Sequence, residues 1–376
     1  MSGLSVWSGG DYPTQVGGWC VPFPFRDQAP AGCQTAGGEP GGALTGRPAH
    51  GNTSRLLRFP AHPIRAPTAT GGTTVTVLVV GEALVDLIVS PDGSLDAVAG
   101  GGPFNLARTT ARLGVATAFG GGISDDVFGR RIAGLLQADD IATPVATRTG
   151  LNTTLALAEL DVSGAASYTF YLDGTSAAEL HEGDVVLGAD VDVLAVGTLG
   201  LVAEPIATTV ERFVAAAPER VLVFVDPNCR PRAITDHAGY RARLERVLGR
   251  ADVVKVSGDD LAYLDPDADP VAVARGLLAL GPRVVLFTDG GDAVRILVGD
   301  REVVVPVPGV DVVDTVGAGD AFGGAFLAFW VAAGLHRDDV TDLEAMTRVV
   351  ERAIVVAGIT CTRAGANPPR LAELAT

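Results

Sequence analysis

Residues 311–324 read Asp311-Val312-Val313-Asp314-Thr315-Val316-Gly317-Ala318-Gly319-Asp320-Ala321-Phe322-Gly323-Gly324. An apolar run with the pattern of a strand, Val303 to Val307, precedes them, and a long apolar stretch, Ala321 to Ala333, reads as a buried helix after them. Between the two the chain must turn sharply. Gly317 and Gly319 permit that turn and leave no Cβ in the way of a ligand approaching the backbone. The N–H groups of the turn and of the helix start have no carbonyl partner within the helix, and the helix dipole favours negative charge there. Gly317, Ala318 and Gly319 therefore form a candidate anion hole. Such a hole suits a phosphoryl group in transfer, whose charge is spread over its oxygens. Each well-aimed donor is worth about 3 kcal/mol of barrier. Asp320 lies in the same turn. A carboxylate beside a phosphate repels it unless it has a task, and taking the proton from an attacking hydroxyl is such a task. Capping the helix is the plainer role for the same residue.

Two other nucleotide signatures compete for this turn. Gly317-Ala318-Gly319 resembles the start of G-x-G-x-x-G, but the third glycine, Gly323, comes one place late and an Asp occupies the crowded turn. A Walker A loop is excluded more firmly: the chain contains no G-x-x-x-x-G-K-[ST], and its single lysine, Lys255, lies at a strand end.

Upstream, continuous apolar runs alternate with helical stretches. Val75 to Val80 stops at Gly81, Val191 to Val196 at Gly197, Val221 to Val225 at Asp226, Asp252 to Val256 at Ser257, and Val284 to Phe287 at Thr288. Ile206 to Ala217, Arg241 to Leu248 and Val271 to Leu280 have helical patterns. This rhythm predicts an α/β fold with a mostly parallel sheet covered on both faces. Ligands of such sheets bind beyond the carboxyl ends of the strands, where these polar and glycine residues fall. Val85 to Ser90, and Thr153 to Glu159 with Ala166 to Tyr171 joined by the turn Asp161–Gly164, predict a small separate sheet acting as a lid.

Three further stretches hold candidate site residues. Gly100-Gly101-Gly102-Pro103-Phe104-Asn105 opens a helix, and its backbone can approach a polyhydroxylated ligand while Asn105 offers a donor and an acceptor. A tight turn with a helix cap explains the same residues. Asp86 would accept two neighbouring hydroxyls of a sugar, or is an ordinary strand-end Asp. Asp226-Pro227-Asn228-Cys229-Arg230-Pro231 ends a buried strand, with Arg230 either a phosphate contact or a surface ion pair.

Composition narrows the partners. The chain's 376 residues are 47% hydrophobic and 19% charged, enough for a large core, and aromatics at 6% leave that core to Val, Leu, Ile and Ala. A net charge of −16 without a basic run argues against nucleic acid, whose phosphates need clustered Lys and Arg. Cys20, Cys33, Cys229 and Cys361 make no C-x-x-C pair and suggest neither zinc nor a disulfide framework, which points to a reducing, cytoplasmic setting. No apolar run is long enough to span a bilayer, and the first residues lack a signal-peptide pattern. Residues 1–73 are crowded with Gly and Pro and lack periodicity, so they are expected to be a disordered extension, with a docking arm anchored by Trp7, Trp19, Phe23 and Phe25 as the alternative.

Taken together, the motifs resemble a known family. Asp314 to Asp320 is similar to the second signature of the ribokinase-like, or PfkB, carbohydrate kinases (D-T-x-G-A-G-D), and Gly100 to Asn105 to the first (G-G-x-x-x-N). Gly121 to Gly129 resembles the family's next block, with Ser124 where Gly is usual, and the likeness runs in order from about Thr74 to Pro369. It implies a three-layer sandwich with a small β lid (about 85–99 and 152–173) and transfer of the ATP γ-phosphate to a sugar hydroxyl with Mg²⁺. By position it implies Asp320 as base, Gly317–Gly319 as anion hole, and Asp86, Gly100, Gly101, Asn105 and Glu204 as sugar ligands. It implies Lys255, Ser257, Asp260, Thr288 and Gly290 on the nucleotide side, and Asp314 and Val316 at a monovalent-cation (K⁺) site, with lid-to-lid dimers seen among members. Ser257 and Asp260 stand where the family often has Asn and Glu, so Asp260 would reach Mg²⁺ through water. The hairpin Tyr168–Asp173 lacks the Arg that keto-deoxy-gluconate kinases place there, which disfavours an acidic sugar. The stretches around Cys229 and Cys361 look most like the fructokinase branch. Ribokinase, nucleoside kinase, non-catalytic sugar-binding regulator and dinucleotide-dependent dehydrogenase remain as alternatives.

Overall fold

The computed structural model describes residues 76–144, 146–160, 166–181, 183 and 187–375. The expectations for residues 1–73, for Thr74 and Val75, for Cys20 and Cys33, and for the turn Asp161–Gly164 lie outside the described residues. In chain order, β1 (Val77–Val80) is followed by β2 (Leu84–Val89), β3 (Leu95–Gly100) and helix α1 (Gly102–Arg112). Next come β4 (Thr117–Gly120), β5 (Gly122–Ser124), α2 (Val127–Ala138), β6 (Thr147–Thr149), β7 (Leu155–Leu160) and β8 (Ala166–Tyr171). Regular alternation then sets in with β9 (Val193–Gly197), α3 (Ile206–Ala216), β10 (Leu222–Asp226), α4 (His237–Leu248) and β11 (Val253–Ser257). It continues through α5 (Gly258–Leu264), α6 (Pro270–Leu277) and β12 (Val284–Asp289). The strands β13 (Ala293–Val298) and β14 (Arg301–Pro306) precede α7 (Ala318–Ala332) and α8 (Leu343–Cys361).

Eight strands form one sheet in the order β14-β13-β12-β11-β10-β9-β1-β4. All pairs from β12 to β4 are parallel, and β13 and β14 add an antiparallel edge. The strands are apolar without alternation because both faces are covered. Along β1, Val77 and Val79 enter one core, shared with α1, α7 and α8, while Leu78 and Val80 enter the other, shared with α3, α4 and α6. From β1 the chain crosses to β4 on one side and later returns to β9 on the other. Strand order thus reverses between β1 and β9, and a crevice opens past their carboxyl ends. A separate four-stranded sheet, β3-β2-β7-β8, supplies the lid, with β2 and β7 parallel and the outer pairs antiparallel.

Helix α7 is buried on all sides from Ala321 to Trp330, as an all-apolar helix must be. It begins three residues before the expected Ala321, so the anion turn is its first turn. Gly323 and Gly324 face α1. A Cβ at Gly324 would stand 2.6 Å from the Leu106 carbonyl oxygen, and one at Gly323 3.2 Å from Leu106 Cδ1. Gly323 is therefore a helix-contact glycine, which removes the reading of it as a displaced dinucleotide glycine. Helix α1 is also fastened at its far end. Asp139 accepts from Arg108 Nε at 2.8 Å, Arg112 Nε at 3.0 Å and Arg370 Nη2 at 2.7 Å, joining α1, α2 and the chain after α8. Both N-termini, of α1 and of α7, end at the crevice. Among the described residues no helix is long and apolar enough to cross a membrane.

Candidate active site

The turn before α7 is braced from outside the helix. Asp314 Oδ1 accepts from Val316 N at 3.0 Å and Oδ2 from Gly365 N at 2.8 Å. The N–H groups of Val313 and Asp314 donate to the Cys361 carbonyl at 2.8 and 3.1 Å. Gly317 is the N-cap at φ 75°, in the left-handed region, with no side-chain cap. A Cβ there would stand 2.5 Å from Ala366 Cβ, so backbone sign and space both demand glycine. The Ala318 N–H donates to the Thr315 carbonyl at 3.2 Å, so it is not free for an anion as expected, and the amides of Gly319 and Asp320 follow in the first helical turn, where no intrahelical carbonyl reaches them.

Asp320 lies partly buried in the crevice, and its Oδ2 accepts from Asn105 Nδ2 of α1 at 2.9 Å. Burial holds its carboxyl above the usual range, while Asn105, Lys255 and Arg230 pull it down. The other end of the Asn105 amide, Oδ1, is buried with no partner. An unmet acceptor in such a place is aimed at a ligand donor. Gly102 shows how closely the elements converge. A Cβ on it would lie 2.6 Å from Thr198 Oγ1, 3.2 Å from Asn228 Nδ2 and 3.3 Å from Asp320 Oδ1. Gly102, Gly197, Thr198, Asp226 and Asp320 line a single pocket at the β1–β9 reversal.

Lys255 sits beneath the turn. Its Nζ is 3.1 Å from where a Gly319 Cβ would stand, and 3.1 and 3.3 Å from the two Asp226 oxygens. Burial works against the Lys255 charge, but Asp226, Asp260 and Asp320 outweigh it and raise its pKa. Asp226 is pushed up to about 6 by burial in spite of the lysine. Lys255 is thus held in its charged form beside Asp226 and beneath the turn before α7.

The lid brings Asp86 over the same crevice. It sits in β2 opposite Val98 of β3, and a Cβ on Gly100 would come 2.1 Å from its Oδ2. Burial pushes Asp86 to about 6, with Asp320 adding to the rise and Arg230 opposing it. Arg230, exposed, donates to the Asn228 and Cys229 carbonyls at 3.2 Å and lowers both carboxyls, so it flanks the cleft. A raised carboxyl is a good acceptor only above its pKa. Sugar KM is expected to rise by about tenfold per pH unit below pH 6, and Asp86→Asn to abolish that slope; a flat KM between pH 5 and 7 contradicts this.

Other predicted residues fall elsewhere. Glu204 turns its carboxylate to Arg243 of α4 and to the Thr208 amide, at the start of α3, so the structure does not bring it to the sugar side. Ser257 and Asp260 form a capping box on α5. Asp260 Oδ1 accepts from Cys229 N at 2.6 Å, and Oδ2 from Ser257 N and Oγ at 2.7 Å. Accepting these three bonds and only 1% exposed, Asp260 shapes the Asp226–Arg230 loop. Thr288 pairs with Ser257 across β11 and β12, and Gly290 follows at φ 52°. Gly101, at φ 109°, begins α1 against the Glu82 carbonyl. The residues missed from sequence are Glu82, Thr198, Asp226 and Asn228. Thr198 and Asn228 hold left-handed backbones at φ 50° and 39° and bond to each other at 3.3 Å. A β-branched residue is strained there, and such strain gathers at functional sites.

The α/β sheet with its small second sheet over one crevice, together with the likenesses that follow, is that of a phosphotransferase with an alcohol group as acceptor. The chain belongs to the pfkB family carbohydrate kinases, whose sequence profile matches residues 75–373. It is 35% identical over 257 residues to a fructokinase of Rhizobium leguminosarum bv. trifolii, covering 67% of this chain and 78% of that one. It is 31% identical over 309 residues to fructokinase-1 of Oryza sativa subsp. japonica, with coverage of 79% and 95%. The crystal structure of fructokinase with bound ATP from Xylella fastidiosa superposes with a TM-score of 0.73 at 30% identity, covering 80% of this chain and 97% of that one. Fructokinase from Vibrio cholerae O395, in a fructose-, ADP- and calcium-bound form, shares the fold at a TM-score of 0.73 and 24% identity, over 81% and 99% of the two chains.

Proposed function

We propose that this chain phosphorylates a neutral sugar of the fructose type from ATP, with Asp320 as the general base. The observation that carries the reading is the Asp320–Asn105 pair at the crevice, beside Gly102 and the Gly317–Gly319 turn. A sugar hydroxyl lying against Asp320 gives its proton to the carboxylate while its oxygen bonds to the γ-phosphorus. The bond from that phosphorus to the bridging oxygen breaks, and ADP leaves with the electron pair. The amides of Gly319 and Asp320, with Lys255 below, face the charge on the moving phosphoryl oxygens. Asp86 and the free Oδ1 of Asn105 accept and orient sugar hydroxyls. Mg²⁺ would enter on the nucleotide phosphates, where it would neutralise their charge. The loop at Asp314 and Val316, braced on the Cys361 carbonyl, is the proposed position for K⁺.

The test is ATP turnover over a panel of sugars, with the product position read by NMR. Fructose is expected to give the highest kcat/KM. Preference for ribose or a nucleoside would move the substrate assignment within the family, and tight sugar binding without any turnover would mark a sugar-binding regulator and refute the proposal.

A further inference from the structure

Where β1, α1 and the turn after β9 meet, backbone packs on backbone. A Cβ on Gly81 would strike Pro103 Cγ at 2.2 Å, and one on Gly200 would stand 3.2 Å from Gly81 Cα. Into this junction Glu82 sends its side chain, 1% exposed. Oε1 accepts from Gly102 N at 3.2 Å and Oε2 from Gly200 N at 3.2 Å. The carboxyl therefore bridges the first residue of α1 to the segment that carries Thr198. Among the described residues no arginine or lysine is seen bonded to it. The charged group that faces it is Asp320 of α7, while α1 and the β9 turn present N–H groups.

The Gly102 and Gly200 amides need an acceptor in this buried junction, and a carboxyl with no cationic partner is a costly one to place there. What the bridge fixes is specific: Gly102, whose missing Cβ leaves the space bounded by Thr198, Asn228 and Asp320. Asn105, which holds Asp320, lies three residues further along the same helical turn.

We infer that Glu82 is a positioning residue for phosphoryl transfer. Through the Gly102 and Gly200 amides it sets the distance between the α1 N-terminus and the β9 turn, and so the placement of Asn105 and Thr198 around Asp320. Resting on the kinase reading above, the inference adds a residue that touches neither sugar nor nucleotide. Burial pushes the Glu82 carboxyl to about 8, with Asp320 adding to the rise, so below pH 8 it bridges without charge. Above that pH a second negative charge develops beside the base and the incoming phosphates.

Glu82→Gln keeps an uncharged group with one acceptor, and Glu82→Met removes both. The expected result for Glu82→Met is a kcat about 100-fold lower, with sugar and ATP KM within about threefold of wild type. Glu82→Gln is expected to give a kcat between wild type and Glu82→Met, and to lack the decline in kcat above pH 8 expected of wild type. Amide hydrogen exchange at Gly102 and Gly200 is expected to quicken at least about tenfold in Glu82→Met. Wild-type kcat in Glu82→Met, or unchanged exchange at both glycines, would overturn the inference, as would an alkaline limb that persists in Glu82→Gln. If wild type phosphorylates no sugar, the kinase reading fails by itself, and the exchange measurement still decides the bridge.

Discussion

Asp320→Asn is expected to lower kcat by about 1,000-fold or more while leaving sugar KM within about threefold. The variant separates the two roles open to this residue. Asn keeps an oxygen that accepts from Asn105 Nδ2, so the α1–α7 contact survives. It cannot take a proton. Because burial raises the Asp320 carboxyl, removing the charge relieves a cost, and the thermal midpoint should hold or rise. Asp320 does not cap α7, and if it only tied α1 to α7 turnover would persist; a variant keeping a tenth of wild-type kcat removes it as the base.

Gly317→Ala is expected to cost about 100-fold in kcat and to raise ATP KM. The left-handed φ of 75° penalises any Cβ by about 1–2 kcal/mol, and the new methyl would meet Ala366 at 2.5 Å. Relief requires the turn to swing away from Ala366, which takes the Gly319 and Asp320 amides off the phosphoryl oxygens. The core of α7 starts at Ala321 and is untouched, so the loss should show in turnover far more than in thermal stability. Wild-type kinetics in this variant would mean that the turn does not hold the phosphate.

The parallel sheet was legible because strands buried on both faces leave an unbroken apolar run, and β1, β9, β10, β11 and β12 all end within two residues of the expected stops. The sharp turn into α7 was legible because Gly317 is needed at its left-handed N-cap. What sequence could not show were pairings across the chain. Asn105 and Asp320 are 215 positions apart, and Glu82 lies 118 from Gly200. An acidic residue after a strand looks the same whether it is solvated or bridges two buried amides. Glu204 failed for the mirror reason: an exposed Glu at a helix start carries no mark of the Arg243 that claims it 39 residues later. Asp260 was recognisable as a carboxylate near a strand end, but its capping of Ser257 and its bond to Cys229 N depend on how the Asp226–Arg230 loop folds back. The left-handed backbones of Thr198 and Asn228 follow from tertiary packing alone, since neither residue type announces them.

The account stands on the acceptor hydroxyl and the terminal phosphate meeting at the head of α7. A crystal structure with fructose and a non-transferable ATP analogue measures this directly. The expected result has one sugar hydroxyl within hydrogen-bond distance of the Asp320 carboxylate and the terminal phosphate on the amides of Gly319 and Asp320. A terminal phosphate bound away from that turn, or a sugar whose hydroxyls all face away from Asp320, would contradict it.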